Sequence, residues 1–279
     1  MEERRITDAQ MKSYHQYLLR EEKSTATVEK YLRDVRAFIV YVGDAIVTKE
    51  VLVAYKKALQ TKVYAVRSIN SMLASLNSLL DFLGWSDCKV KAIRQQKQIY
   101  CAEEKELSKA EYMRLLEAAE KKPQLQLVMK TICSTGIRVS ELKFFTVEDV
   151  KRGEVMVNCK GKSRTILIPG KLRKQLLDYA KKEKIRSGVI FRSRNGNPLN
   201  RSCIWAQMKA LCEEAGVNPS KVFPHNLRKL FARTFYGIEK DIAKLADILG
   251  HSSIDTTRIY IMTTGTEHRR KIERLGLVV

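Results

Sequence analysis

Between Val66 and Leu83 the chain sets Val66, Ile69, Met72, Leu73, Leu76, Leu79, Leu80 and Leu83 at steps of one and three. Such spacing predicts a helix whose apolar surface is too wide to be left in water. Other helices must cover it, which makes a small helical bundle the economical solution. The preceding residues supply them. Thr7 with Gln10 has the pattern of a capping box, and Met11, Tyr14 and Leu18 recur behind it. A second helix is predicted from near Thr27, carrying Val28, Tyr31, Leu32, Val35, Phe38 and Ile39, and stopping at Gly43. A third starts near Thr48 with Val51, Leu52 and Tyr55, and Gly84 closes the fourth. Residues 1–85 are therefore expected to form one four-helix domain.

Apolar periodicity then breaks. In residues 86–105, Lys89, Lys91, Arg94 and Lys97 meet Asp87 as the one acid before Glu103 and Glu104. The stretch reads as an exposed basic linker, suited to lying along a phosphate backbone. A second, larger domain, residues 106–279, is expected to begin at Leu107, with Ser108 as N-cap and Glu111 three residues on. It reads as mostly helical apart from EVMVNCKGKSRTILIP, which alternates apolar and polar residues on both sides of Lys160-Gly161-Lys162-Ser163. That alternation predicts a β-hairpin in an otherwise mainly α fold.

The charge limits the function. Lys and Arg outnumber Asp and Glu by 52 to 31, a formal net charge of +21. Residues 1–85 hold 13 basic and 10 acidic side chains, and the remainder 39 and 21. A folded domain this basic is expected to bind a polyanion, nucleic acid first among them. An aromatic platform of the kind that stacks RNA bases is not evident. No apolar run approaches the ~20 residues needed to span a bilayer, and the charged start, Met1 to Ile6, lacks a secretory stretch. Cysteines 88, 101, 133, 159, 203 and 212 show no paired short spacing. That argues against a zinc cluster or a disulfide framework and fits a reducing cytoplasm.

Four segments carry chemistry in combination. TGIRVSEL (135–142) holds Arg138, HNLRKLFA (225–232) holds His225 and Arg228 three apart, the hairpin turn holds Lys160 and Lys162, and LGHSSIDTTRIY (249–260) holds His251 and Tyr260. Singly, each has a bland reading: a solvated arginine, a helix cap, surface lysines, a half-buried tyrosine. Together they suit in-line attack on a phosphodiester, whose non-bridging oxygens gain negative charge in the transition state. Two planar guanidinium forks match those oxygens. A phenol, with an unperturbed pKa of ~10, needs a partner to take its proton, and a histidine can do so. A lysine on a hairpin tip can protonate a departing sugar oxygen. The carboxylate cluster that a metal-dependent nuclease needs is not evident.

TGIRVSEL, HNLRKLFA and LGHSSIDTTRIY, in that order, resemble the three signature boxes of the tyrosine recombinases, the phage-integrase family, and most of all its compact two-domain, Xer-type members. The resemblance covers nearly the whole chain and implies a SAM-like core-binding domain followed by a catalytic domain. By position, Arg138, His225, Arg228, His251 and the nucleophile Tyr260 correspond to the family's catalytic set, and Glu141 to the acid that supports it. The lysine just before a Gly or Thr in the turn favours Lys160, with Lys162 as the alternative. The implied activity is cleavage and rejoining of double-stranded DNA at a specific site. It runs through a 3′-phosphotyrosyl link and a Holliday junction, without metal, cofactor or ATP. A tetramer on synapsed DNA is implied, with the C-terminal segment TEHRRKIERLGLVV docking in a neighbour or on its own domain. A directionality factor or partner recombinase is a further possible partner. The early helical start implies that the arm-binding domain of larger integrases is absent. After LFA the chain reads RTFYG where many relatives carry His or Thr and leucines, so the following helix is expected to pack differently. Two alternatives stay open: a DNA-relaxing enzyme of the type IB topoisomerase class, and a DNA-binding protein that kept the fold without the chemistry.

Overall fold

The computed structural model of the chain describes residues 4–96, 106–159, 162–193, 195–262 and 265–275. They fall into two compact units, Met1–Lys97 and Gln98–Val279, and the fold is mainly α.

The first unit holds α1 (Asp8–Arg20), α2 (Thr25–Val42), α3 (Lys49–Thr61) and α4 (Val66–Phe82). Thr7 and Gln10 form the expected capping box: the Gln10 N–H donates to the Thr7 hydroxyl at 3.2 Å and the Thr7 N–H to the Gln10 amide oxygen at 2.9 Å. The second helix starts two residues before the expected Thr27, with Ser24 at the N-cap position. The stripe from Ile69 to Leu80 is buried with Tyr14, Leu18, Val35, Phe38 and Leu52 in one core. A polar stitch crosses it. Asp34 is buried and takes the Lys30 ammonium and the Ser75 hydroxyl, joining α2 to α4.

The start of the expected linker is not free. Residues 86–88 form a 3₁₀ turn, and Cys88 and Val90 are buried in the first unit's core. Asn77 on α4 grips Val90 by both its N–H (3.1 Å) and its carbonyl (2.9 Å). Asn70, two turns earlier, grips Ile93 the same way at 2.8 and 2.9 Å. Composition suggested an exposed tether because lysines dominate it. The alternate residues that dock are few, and the asparagines that fasten them lie far back in the chain.

The second unit contains α5 (Lys109–Ala118), α6 (Pro123–Thr135), α7 (Val147–Arg152), β1 (Glu154–Cys159), β2 (Lys162–Leu167), α8 (Gly170–Lys182) and α9 (Arg201–Lys209). There follow α10 (Pro224–Glu239), α11 (Ile242–Leu249), α12 (Ile254–Ile261) and α13 (Gly265–Glu273). Ser108 and Glu111 cap α5 reciprocally, as expected. β1 and β2 pair antiparallel, with Val155 opposite Ile166, Val157 opposite Arg164 and Cys159 opposite Lys162. Val155, Val157 and Ile166 thereby enter a core built on Leu115, Val128, Ile132, Phe145, Leu176 and Leu227. The RTFYG segment continues α10, and Phe231, Phe235 and Tyr236 pack against a smaller cluster of Ala232, Leu245, Leu249 and Tyr260. Among the described residues no helix is long and apolar enough to cross a membrane.

Candidate active site

Three helix ends meet at the site. α6 stops at Gly136, in the left-handed conformation at φ +65°, and the chain turns into a 3₁₀ helix over Val139–Phe144 whose N-cap is Arg138. α10 enters at Pro224, whose fixed φ suits a first helical position, and presents His225 and Arg228 one turn apart. α11 stops at Gly250, also left-handed at φ +62°, which delivers His251 ahead of α12 and Tyr260.

Arg228 is the hub. Its side chain is 1% exposed, and it donates to the carbonyls of Gly136 and, at 2.6 Å, of Leu249, the ends of two helices. The same Nη2 lies 3.0 Å from Nε2 of His251. Nδ1 of His251 lies 2.9 Å from the hydroxyl of buried Thr257. Burial, and then neighbouring Arg138, push the Arg228 guanidinium down to about 10, with Tyr260 and Glu141 opposing. It stays a cation at neutral pH.

Tyr260 is 7% exposed, but its surroundings are polar on one side. Its ring centroid is 5.0 Å from that of His225 and 4.8 Å from that of His251, and the Arg228 guanidinium carbon lies 5.8 Å from it. Burial, followed by Lys229, Arg228, Arg138 and Arg201, pushes His225 down to about 4. Burial, then Arg228, Arg138 and Arg164, does the same to His251. Both imidazoles are therefore neutral at pH 7, held so by burial first and by the surrounding positive charge after it.

Glu141 is 1% exposed and binds the first arginine to the frame. Its carboxylate accepts from the Arg138 backbone N–H at 2.7 Å and from Arg138 Nη1 at 3.1 Å. Arg138 Nη2 donates to the Gly250 carbonyl at 3.2 Å, and its side chain is 37% exposed. It faces a cleft of about 690 Å³ lined also by Arg201, Trp205, Lys209, His225 and Arg228, with no carboxylate among the described lining residues. The electrostatics of such a cleft favour an anion.

The structure thus brings together Arg138, Glu141, His225, Arg228, His251 and Tyr260. Lys160 lies outside the described residues, as does Lys97. Lys162 occupies β2 opposite Cys159. Lys89, Lys91 and Arg94 belong to the first unit. Lys89 pairs with Asp81 at 2.9 Å, whereas Lys91 and Arg94 are exposed. Two participants were missed in the sequence. Arg164 on β2 donates to both oxygens of Glu141, at 3.0 and 2.8 Å. A signal existed: it shares the inward alternation with Ile166 and Ile168, and a charge on that face demands a buried partner. Thr257 carried no comparable signal.

Residues 105–266 match the family model described as "Phage integrase family", and residues 11–87 match "Phage integrase, N-terminal SAM-like domain". The chain is 29% identical to tyrosine recombinase XerA of Pyrococcus furiosus over 286 aligned positions, covering 100% of this chain and 98% of that protein. A crystallised lambda integrase fragment (75–356), a dimer bound to a COC′ core site, shares its fold at TM-score 0.73 and 19% identity, covering 93% of this chain and 96% of that one. A lambda integrase tetramer bound to a Holliday junction aligns at TM-score 0.71 and 19% identity, over 90% of this chain and 76% of that one.

Proposed function

The chain belongs to the phage integrase family, and we propose that it is a site-specific DNA recombinase in which Tyr260 is the nucleophile. What supports this reading above all is the convergence of two arginines, two neutral histidines and one tyrosine beside a single basic cleft. The family match favours recombination over relaxation of single duplexes or mere binding.

In the proposed reaction the Tyr260 oxygen attacks a phosphorus of duplex DNA, forming a 3′-phosphotyrosyl bond while the bond to the 5′ oxygen breaks. Arg138 and Arg228 hold the two non-bridging oxygens as their charge grows. His251 has both ring nitrogens engaged, which leaves His225 to receive the phenolic proton. His251 turns to the phosphate once Arg228 does. Lys160 supplies the proton for the leaving 5′ oxygen, with Lys162 as the alternative donor. The link keeps the phosphodiester's energy, so a 5′-hydroxyl from a second duplex reverses the step without ATP. Exchange through a Holliday junction then calls for a tetramer. The first unit, with exposed Lys91 and Arg94, supplies further contacts to DNA phosphates.

The test is a nicked suicide duplex carrying a site selected by the wild-type protein from random-sequence DNA. Wild type becomes covalently attached in the absence of metal and ATP, and Tyr260→Phe binds equally but leaves no adduct. An adduct that survives in Tyr260→Phe, or its absence in wild type, overturns the reading.

A further inference from the structure

Glu141 has two carboxylate oxygens, and each receives two donors. Oε1 takes Arg138 Nη1 at 3.1 Å and Arg164 Nη1 at 3.0 Å. Oε2 takes the Arg138 backbone N–H at 2.7 Å and Arg164 Nη2 at 2.8 Å. A carboxylate offers about four lone-pair sites in all, so the set is saturated. Arg164 is itself 14% exposed and Glu141 1%, a buried fork-to-fork pair of the kind that fixes geometry most tightly.

The same guanidinium also abuts the third box. A Cβ placed on Gly250 would sit 2.6 Å from Arg164 Nη1 and 3.1 Å from its central carbon. Arg164 therefore fills the space a side chain would take just before His251. Arg138 also meets that glycine, donating to its carbonyl. One side chain on the hairpin thus touches the residue that anchors Arg138 and the residue that delivers His251.

We propose that Arg164 is a positioning residue for strand cleavage: by saturating Glu141 and packing on Gly250 it limits the Arg138 guanidinium to one hydrogen bond with that carboxylate, leaving its other N–H groups for the phosphate instead of a full fork-to-fork pair with Glu141. Without it, Glu141 has one lone pair unfilled on each oxygen in a buried site, where an uncompensated charge is costly. The nearest cation that can answer is Arg138, and its answer is to fold inward. The cost then falls on the non-bridging oxygens of the substrate, to which Arg138 no longer reaches.

This inference rests on the reading of the site as a phosphoryl-transfer centre, and the experiment separates the two. Wild type, Arg164→Ala and Arg164→Lys are given two versions of the selected suicide duplex, one with an ordinary scissile phosphodiester and one with a neutral methylphosphonate there. A methylphosphonate lacks the charge that the arginines neutralise. On the phosphodiester, Arg164→Ala forms the covalent adduct roughly 100-fold more slowly, the scale of an ångström misplacement, with DNA affinity retained. On the methylphosphonate its rate matches wild type. Arg164→Lys keeps the charge but not the fork; it restores the thermal midpoint while remaining slow on the phosphodiester. Equal slowing on both substrates reveals a merely structural role and overturns the proposal, as does an unchanged phosphodiester rate. A wild-type protein that forms no adduct on the phosphodiester overturns the reading of the site itself, and the proposal with it.

Discussion

Nη2 of Arg228 donates to Nε2 of His251 across 3.0 Å. An arginine can only donate, so that nitrogen must carry its lone pair, and the ring proton sits on Nδ1, facing the Thr257 hydroxyl at 2.9 Å. The DNA-free protein is thereby expected to hold His251 as a single neutral tautomer. Nitrogen-15 chemical shifts of the His251 ring at pH 7 check it: Nδ1 in the protonated range and Nε2 in the bare range. Thr257→Val removes the acceptor and leaves a buried N–H without a partner, a loss of about 1–3 kcal/mol, and the two nitrogen shifts then move toward each other. Unchanged shifts in that variant count against the role given to Thr257.

Both histidines are pushed down from 6.5 to about 4, by burial first and by arginines after it. The sign of the pH effect follows. Between those limits the unfolded chain binds protons that the folded one refuses, so stability falls as pH drops below 6.5 and the loss flattens near 4. Thermal midpoints measured from pH 7 to pH 5 should decline, and less steeply in His251→Gln, whose replacement does not titrate. Binding a duplex brings phosphate anions to the same cations, which favours the charged imidazoles and raises both values. A midpoint decline equally steep in His251→Gln contradicts the assignment.

Two glycines end helices at the site, each with positive φ and no room for a methyl group. A Cβ at Gly136 would stand 2.4 Å from the Phe231 ring, and one at Gly250 would stand 2.6 Å from Arg164. The left-handed backbone alone penalises Ala by about 1 kcal/mol, and the contact adds to it. Gly136→Ala strikes an aromatic ring packed in the small cluster beside Tyr260, whereas Gly250→Ala strikes the end of a longer side chain. Urea denaturation is therefore expected to show the larger stability loss for Gly136→Ala. The larger ratio of lost cleavage to lost stability is expected for Gly250→Ala, because its neighbour holds Arg138.

Local patterns carried much of the fold into view. The stripe from Val66 to Leu83, the caps at Thr7 and Ser108 and the alternation around the hairpin each express a preference that a few adjacent residues decide. The site was legible for a related reason: Arg138, His225, Arg228, His251 and Tyr260 lie in short segments with distinctive spacing. What stayed hidden was pairing at long range. Arg164 meets Glu141 across 23 positions of sequence, and Asn70 meets Ile93 across the same separation. The alternation of β2 marks Arg164 as inward, but neither contact names its partner locally, since each pairing exists only after two elements have packed. Thr257, by contrast, lies six residues from His251, and a threonine in a helix gives no sign of which ring it will orient.

The asparagine pair on α4 gives a last expectation, about how the protein leaves its first unit. Asn70 and Asn77 each supply a donor and an acceptor to one residue's backbone, at Ile93 and Val90, as a neighbouring strand would. Asn70→Ala with Asn77→Ala removes four such bonds and loosens residues 89–93 from α4, leaving the Lys49 and Lys56 ammoniums of α3 on the Lys89 and Lys91 carbonyls. Hydrogen exchange at the Val90 and Ile93 amides then accelerates well before the core amides of α4 do. Lys91 and Arg94, exposed just there, are held near the bundle by this clamp together with Lys56 of α3, whose ammonium donates to the Lys91 carbonyl at 2.7 Å. If they contact phosphates, the salt dependence of DNA affinity reports it: Lys91→Ala and Arg94→Ala each lower the slope of log affinity against log salt by about 0.9. Loosening the segment leaves the slope nearly intact, since both charges can still find a phosphate, but weakens binding through the entropy of the loosened tether. A double asparagine variant with wild-type exchange at Val90 and Ile93 refutes the clamp.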